Sequence, residues 1–382
     1  MTPFDLRFPA QISFGWDSRF RLGPALAERV PRSEPRRALL VCTPSLERNG
    51  AAPALRESAP DWDWQTVADI PHGPSLDVVD RIVDRARDTE ASILVAVGGG
   101  SAIDAAKAAA AVVPTGETVR PFYDKEKELS APGLPLIALP STAGTGAEIT
   151  SNAVLSHPAS GRKQSLRSPV MVPTVALVDP ALTLTAPPDL TAGCGLDALT
   201  QAIESYLSLR GHAASRPYAR KAVVLLMGNL AAAVRDGADR NAREAVACGS
   251  LLSALAFSQS GLGAVHGLAH PIGLDFSLPH GRTCGILLPH ILDWNLPACK
   301  DSLGTLARAV GLDTPGEFAD AVRSLCSRVG IPPDFRSCRL DPETREHIVR
   351  NCRSGSMKAT PRPLSDEQIR RLLTELFGTE NG

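Results

Sequence analysis

His266, His270 and His280 fall within fifteen positions, in the stretch GAVHGLAHPIGLDFSLPHG that runs from Gly263 to Gly281. Imidazole is the commonest protein ligand for a metal ion, so the cluster raises the question of a cation. His266 and His270 are four apart and share a face if the segment is helical. Pro271 is expected to end or kink that helix just beyond them. His280 follows in a Pro-His-Gly turn. Histidines alone do not complete a site, and the best supporting segment is LDALTQAIES from Leu196. There Asp197 and Gln201 repeat the four-residue spacing. If the two helices converge, a carboxylate, an amide oxygen and two imidazoles would face one cation.

A second kind of chemistry is suggested earlier in the chain. VAVGGGSAIDAAK, Val95 to Lys107, reads as a strand, a glycine turn and a helix. Backbone amides bared by glycine at a helix N-terminus form a cradle for phosphate or pyrophosphate. The pattern is neither GxGxxG, because Ile103 stands where the third glycine belongs, nor a P-loop, which needs GKS or GKT. LPSTAGTGAEITS, from Leu139, is another Ser/Thr/Gly-rich loop placed after a strand. Two such loops at the C-terminal ends of parallel strands point to a nucleotide in the crevice there.

The elements that must position these groups differ between the two halves. RRALLVCTP, WDWQTVAD, ASILVAVGGGS, LPLIALPST and VALVD are strand candidates, and SLDVVDRIVDRARD and SAIDAAKAAAAVV between them have helical spacing. Strands separated by helices indicate a parallel sheet covered on both faces. From Leu196 onward, Ala/Leu-rich segments with helical periodicity take over. The expected organisation is an α/β domain over 1–187 and an all-α domain over 188–382. The late KATPRPLSDEQ reads as a turn with a Ser-Asp helix start.

Length and composition are consistent with this. The 382 residues suggest two domains or more. A net charge of -1 gives no global reason to bind nucleic acid or an anionic membrane. The eight cysteines form no CxxC pair and read as reduced thiols of a cytoplasmic protein. The N-terminus has no signal-peptide pattern, and the apolar runs are too short to span a bilayer.

GGGSAIDAAK at 98–107, PSTAGTGAE at 140–148, DALTQAIE at 197–204 and HGLAHPIG…PHG at 266–281 together resemble the iron-containing (group III) alcohol dehydrogenases. The resemblance extends from Phe14-Gly15 to PRPLS at 361–365. It implies a Rossmann-like domain, a helical domain and an active site in the cleft between them, the architecture shared with dehydroquinate synthase. It implies that Asp197, Gln201, His266 and His280 hold iron or zinc, and that His270 serves catalysis or proton relay. Gly99, Gly100, Ser101 and Asp104 match the cofactor's pyrophosphate loop, Ser141 and Thr142 match polar cofactor contacts, and Lys163 matches a lysine near the nicotinamide. Most members of that family carry histidine where this chain has Gln201. An amide oxygen is generally a poorer ligand for iron or zinc than imidazole, so a weakened metal site is expected.

The implied activity is interconversion of a small alcohol and its aldehyde or ketone with NAD or NADP, by a homo-oligomer that is a dimer or larger. Thr43 stands where NAD-specific relatives carry aspartate, and loss of that carboxylate would let NADP be tolerated. Arg162 and Arg167 read as solvated or as holding the cofactor side. The alternative is a metal-free carbonyl reductase of the maleylacetate reductase type, which Gln201 favours and the retained Asp197, His266 and His280 oppose. A lyase of related architecture and a non-catalytic nucleotide-binding protein are the remaining, weaker readings.

Overall fold

The computed structural model describes residues 4–160 and 162–378. They form two compact units. One runs over Leu6–Thr185; the other, from Ala186 onward, also holds Phe4, whose ring stacks on His212 at 4.0 Å.

The first unit is built on β1 (Gln11–Phe14), β2 (Arg37–Cys42), β3 (Asp63–Val67), β4 (Ile93–Gly98), β5 (Leu136–Pro140), β6 (Asn152–His157), β7 (Arg162–Arg167) and β8 (Val175–Val178). Six of these make one parallel sheet in the order β1-β8-β5-β4-β2-β3, with Leu40 opposite Val95 and Val95 opposite Ile137. Its helices are α1 (Leu22–Arg29), α2 (Pro44–Arg48), α3 (Ala51–Glu57), α4 (Leu76–Asp88), α5 (Gly100–Val112) and α6 (Arg120–Tyr123). Side chains of β4 alternate between two cores. Leu94 and Ala96 join the α4 and α5 side, whereas Ile93, Val95 and Val97 join the α1 and α3 side. Burying a large aliphatic side chain contributes about 1.5–3 kcal/mol, so a strand apolar on both faces is held only between two helical layers.

The five strand candidates are all found. The sequence reading did not separate out β1 or the antiparallel hairpin of β6 and β7. Both are short on apolar alternation; RKQSLR buries only Leu166.

The second unit is helical: α7 (Pro188–Leu207), α8 (Ser215–Arg235), α9 (Arg240–Ser260), α10 (Ala264–Asp275), α11 (His280–Asn295), α12 (Lys300–Ala309), α13 (Pro315–Arg328), α14 (Pro342–Asn351) and α15 (Asp366–Phe377). Pro188 opens α7 at a position where its missing N–H costs nothing. Ser365 caps α15 through a capping box with Gln368, as the Ser-Asp signal suggests.

Of the two outcomes expected at Pro271, an end or a kink, the first does not occur, and α10 continues to Asp275. Proline deletes a single N–H donor, the one that would reach Gly267, while Gly267 N–H bonds Gly263 O at 3.1 Å before it and Phe276 N–H bonds Ile272 O at 3.1 Å after it. Burial of Val265, Leu268, Ala269 and Ile272 holds the turns on both sides of the gap.

Among the described residues no single helix is long and apolar enough to cross a membrane; α9 and α10 meet the length and composition only together, across a bend of 103°. All eight cysteines are free.

Candidate active site

In the helical unit, α7 presents Asp197, Gln201 and Glu204 at helical spacing along one face, each less than a tenth exposed. His266 comes from the first turn of α10, and α11 opens on His280 and carries Cys284 one turn later. The contact between α7 and α11 depends on a glycine at position 281. A Cβ on Gly281 would lie 2.0 Å from the carbonyl oxygen of Gly193, so only glycine lets the first turn of α11 reach the α7 backbone. That approach puts His280 beside Asp197.

His266 Nε2 is 3.2 Å from Asp197 Oδ1, and His280 Nε2 is 3.6 Å from the same oxygen. Cys284 Sγ is 3.6 Å from His280 Nε2. One ligand atom from each of Asp197, His266, His280 and Cys284 falls within 4.8 Å of all the others. The His266 ring is fixed from behind, where its Nδ1 is 2.6 Å from Glu204 Oε2, and the other Glu204 oxygen accepts Val265 N–H at 2.6 Å. A carboxylate on the far nitrogen of an imidazole sets its tautomer and orientation, as behind many metal-binding histidines. His270, exposed, stacks on His280 with ring centroids 5.1 Å apart.

Burial alone would lower the affinity of His266 for a proton, but the charge of Glu204 and hydrogen bonds to Asp197 and Glu204 outweigh it and raise its pKa to about 9. Burial works against the Asp197 carboxylate too, yet the hydrogen bond from His266 and the charges of His280 and His266 leave its pKa lowered. The Cys284 thiol is pushed up, first by burial and then by the charges of Asp197 and Glu204. The pocket thus sets two carboxylates, Asp197 and Glu204, on either side of the His266 ring. The Gln201 side chain helps to hold the Asp197 pKa down, and its oxygen lies 3.5 Å from the Ser253 hydroxyl.

In the α/β unit the chain leaves β2 outward to β3, then returns to β4 on the other side of β2 and continues to β5. The strand order therefore reverses between β2 and β4, where nucleotides bind in such sheets. Thr43 follows β2 directly, with its hydroxyl 3.0 Å from that of Ser45. Gly99 and Gly100 open α5 directly after β4, and Ser101 spends its hydroxyl on the Gly73 N–H at 3.1 Å. Ser141 and Thr142 follow β5, the other neighbour of β4, and Ser141 N–H bonds Gly98 O at 2.8 Å. The two loops touch. A Cβ on Gly100 would come within 2.8 Å of Thr145 Oγ1. Six of the expected cofactor residues are thus gathered at one edge of the sheet. Lys163 is elsewhere, exposed on β7 opposite Ser156.

Asp104 faces inward. It lies 3.1 Å from Lys107 Nζ and accepts Val154 N–H at 2.9 Å. Fully buried Lys107 also donates to Ala147 O at 2.9 Å and Thr150 Oγ1 at 3.0 Å, pinning the second loop to α5. Burial lowers the pKa of Lys107 and raises that of neighbouring Glu148 to about 7.

Sequence reasoning missed Glu204, Cys284 and the Lys107 network. Glu204 lies within the DALTQAIE helix at seven residues from Asp197, and Cys284 is four after His280, so helical spacing carried both signals.

Comparison with known proteins agrees with this arrangement. Residues 9–180 match the family described as iron-containing alcohol dehydrogenase, and residues 191–377 match the C-terminal domain of the Fe-containing alcohol dehydrogenase family. A long-chain-alcohol dehydrogenase of Geobacillus thermodenitrificans is 30% identical over 97% of this chain and 96% of its own. A lactaldehyde reductase of Escherichia coli is 32% identical over 86% of this chain and 88% of its own. Among solved structures, a sulfoacetaldehyde reductase from Bifidobacterium kashiwanohense in complex with NAD+ superposes with a TM-score of 0.92 at 28% identity, covering 100% of both chains. The chain is an oxidoreductase of the iron-containing alcohol dehydrogenase family.

Proposed function

We propose that the protein interconverts a small alcohol and its aldehyde or ketone, with a nicotinamide nucleotide at the β2/β4 edge and a divalent cation at the Asp197 cluster. The observation that carries this reading is the convergence of Asp197, His266 and His280. Bonds of about 2.0–2.2 Å from zinc to nitrogen and oxygen in a tetrahedron put neighbouring donor atoms roughly 3.4 Å apart. The two edges here, 3.2 and 3.6 Å, fit that spacing. A divalent cation bound there would supply Lewis acidity toward the substrate oxygen.

The chain's own residues do the rest. Glu204 holds His266 with Nε2 forward, Gln201 orients Asp197, and His280 is a third exposed by its side chain, leaving an approach for substrate. His270, exposed and stacked on His280, is placed to pass a proton to solvent. The cofactor loop residues Gly99, Gly100, Ser101, Ser141 and Thr142 bind the nucleotide, with Asp104 supporting them through Lys107. Lys163 is assigned to the nicotinamide side on family resemblance. Thr43 presents no carboxylate to a ribose 2′-phosphate, which supports use of NADP as well as NAD. Eight free thiols support a reducing, cytoplasmic setting. The metal-free reading is not favoured, because one donor atom from each of Asp197, His266, His280 and Cys284 falls within 4.8 Å of the others, the arrangement of a cation site.

Lactaldehyde and sulfoacetaldehyde, the aldehydes named in two relatives, are the first substrates to test. Protein purified without chelator should contain near-stoichiometric iron or zinc and oxidise NADH in the presence of a small aldehyde. Protein that neither contains nor takes up iron or zinc would overturn the cation assignment. His270→Ala should lower kcat about a hundredfold with metal content unchanged, the scale of one general acid–base group.

A further inference from the structure

Gln201 and Cys284 flank the same carboxylate, and only one of them presents a donor that a cation can use as placed. The Gln201 amide oxygen faces the Ser253 hydroxyl at 3.5 Å, and nitrogen of an amide is no ligand. Cys284 is fully buried, one helical turn after His280, with its sulfur among the converging ligand atoms. A tetrahedron with a zinc–sulfur bond of about 2.3 Å and a zinc–nitrogen bond of about 2.05 Å has a sulfur–nitrogen edge of roughly 3.6 Å. The separation of Cys284 Sγ from His280 Nε2 is 3.6 Å.

We infer that the fourth protein ligand of this centre is the Cys284 thiolate, giving an Asp197–His266–His280–Cys284 set, and that Gln201 positions Asp197 without touching the ion. This rests on the reading that Asp197, His266 and His280 hold a divalent cation, and it goes beyond it by naming the donor and the metal. Carboxylate, two imidazoles and a thiolate in tetrahedral array suit zinc, and cobalt as its stand-in, ahead of iron. Binding releases the thiol proton to solvent, so uptake is accompanied by acidification. Four protein donors do not shut out substrate, since zinc in catalytic sites expands to five ligands.

The test uses the full-length protein, stripped of metal and titrated with cobalt(II). The expected result is one cobalt per chain with a near-ultraviolet thiolate-to-cobalt charge-transfer band. Cys284→Ser should lose the band and bind zinc at least tenfold more weakly, the loss expected when part of a metal site is removed. Gln201→Leu should keep the band. Stoichiometric cobalt without the band in the unaltered protein would overturn the thiolate and leave the cation reading standing. A band that survives in both Cys284→Ser and Cys284→Ala would likewise overturn it. Failure to bind cobalt or zinc at all would overturn both.

Discussion

Each unit of this protein buries a cluster of charged groups, and the two clusters are solved in opposite ways. Around Lys107 the chain supplies its own cation, and Asp104, Thr150 and the Ala147 carbonyl surround it as acceptors. Around Asp197 the chain supplies a carboxylate, two imidazoles, a thiol and the nearby Glu204, with no lysine or arginine among them. Buried charge is tolerated when paired or metal-bound. The first cluster is complete as protein and serves to pin a loop. The second gathers donor atoms in the pattern of a cation site, and that convergence marks the candidate reactive place.

The comparison is tested most strongly at its covalent cation. Lys107→Met should destabilise the fold by about 3–5 kcal/mol, because removing one member of a buried ionic group strands the others. Denaturant unfolding measures this, and a loss below 1 kcal/mol would mean Lys107 is not the keystone of its cluster. At the second cluster, Glu204→Gln should weaken zinc binding about 10–100-fold. Equal affinity in competition with a chelator would show that Glu204 does not orient His266.

A finer test uses pH. The Glu148 carboxyl, raised from its ordinary 4.5 to about 7 by burial, binds its proton more tightly folded than unfolded. Its contribution to stability is therefore present below pH 4.5 and lost as pH rises through 7. Glu148→Gln should remove that decline, so the variant gains on the parent by about 3 kcal/mol between pH 4.5 and 7.5. Parallel unfolding free energies across that window would remove Glu148 from the cluster's energetics. The smallest effect is expected at the sheet edge. Thr43→Asp should weaken NADPH relative to NADH by about tenfold, the scale of one added repulsion near 1.4 kcal/mol. An unchanged ratio, read by fluorescence titration, would place the ribose elsewhere.

Much of this was legible without coordinates. Alternating strands and helices up to Val178 and helices thereafter follow from periodicity, which depends only on the order of side chains along the chain. Asp197, Gln201, His266 and His270 could be picked out by type and spacing, as could the glycine loop, whereas His280 as a ligand came from the family resemblance. Pro271 does not end α10, because the rule about proline is local and the burial that carries the helix past it is not. The hairpin of β6 and β7 escaped because its strands are mostly polar, and their pairing, not their composition, makes them strands.

What the sequence determined, then, is which groups exist and which helical face each one occupies, since both follow from residue identity and the repeat of the helix. Which groups meet was decided by tertiary structure alone. The Gly193–Gly281 approach sets α11 against α7, and with it the neighbours of Asp197. That contact turns Cys284 from one of eight scattered thiols into a member of the cluster. It also shows Gln201 as a partner of the carboxylate, because distance and orientation across helices far apart in the chain are fixed only when those helices pack.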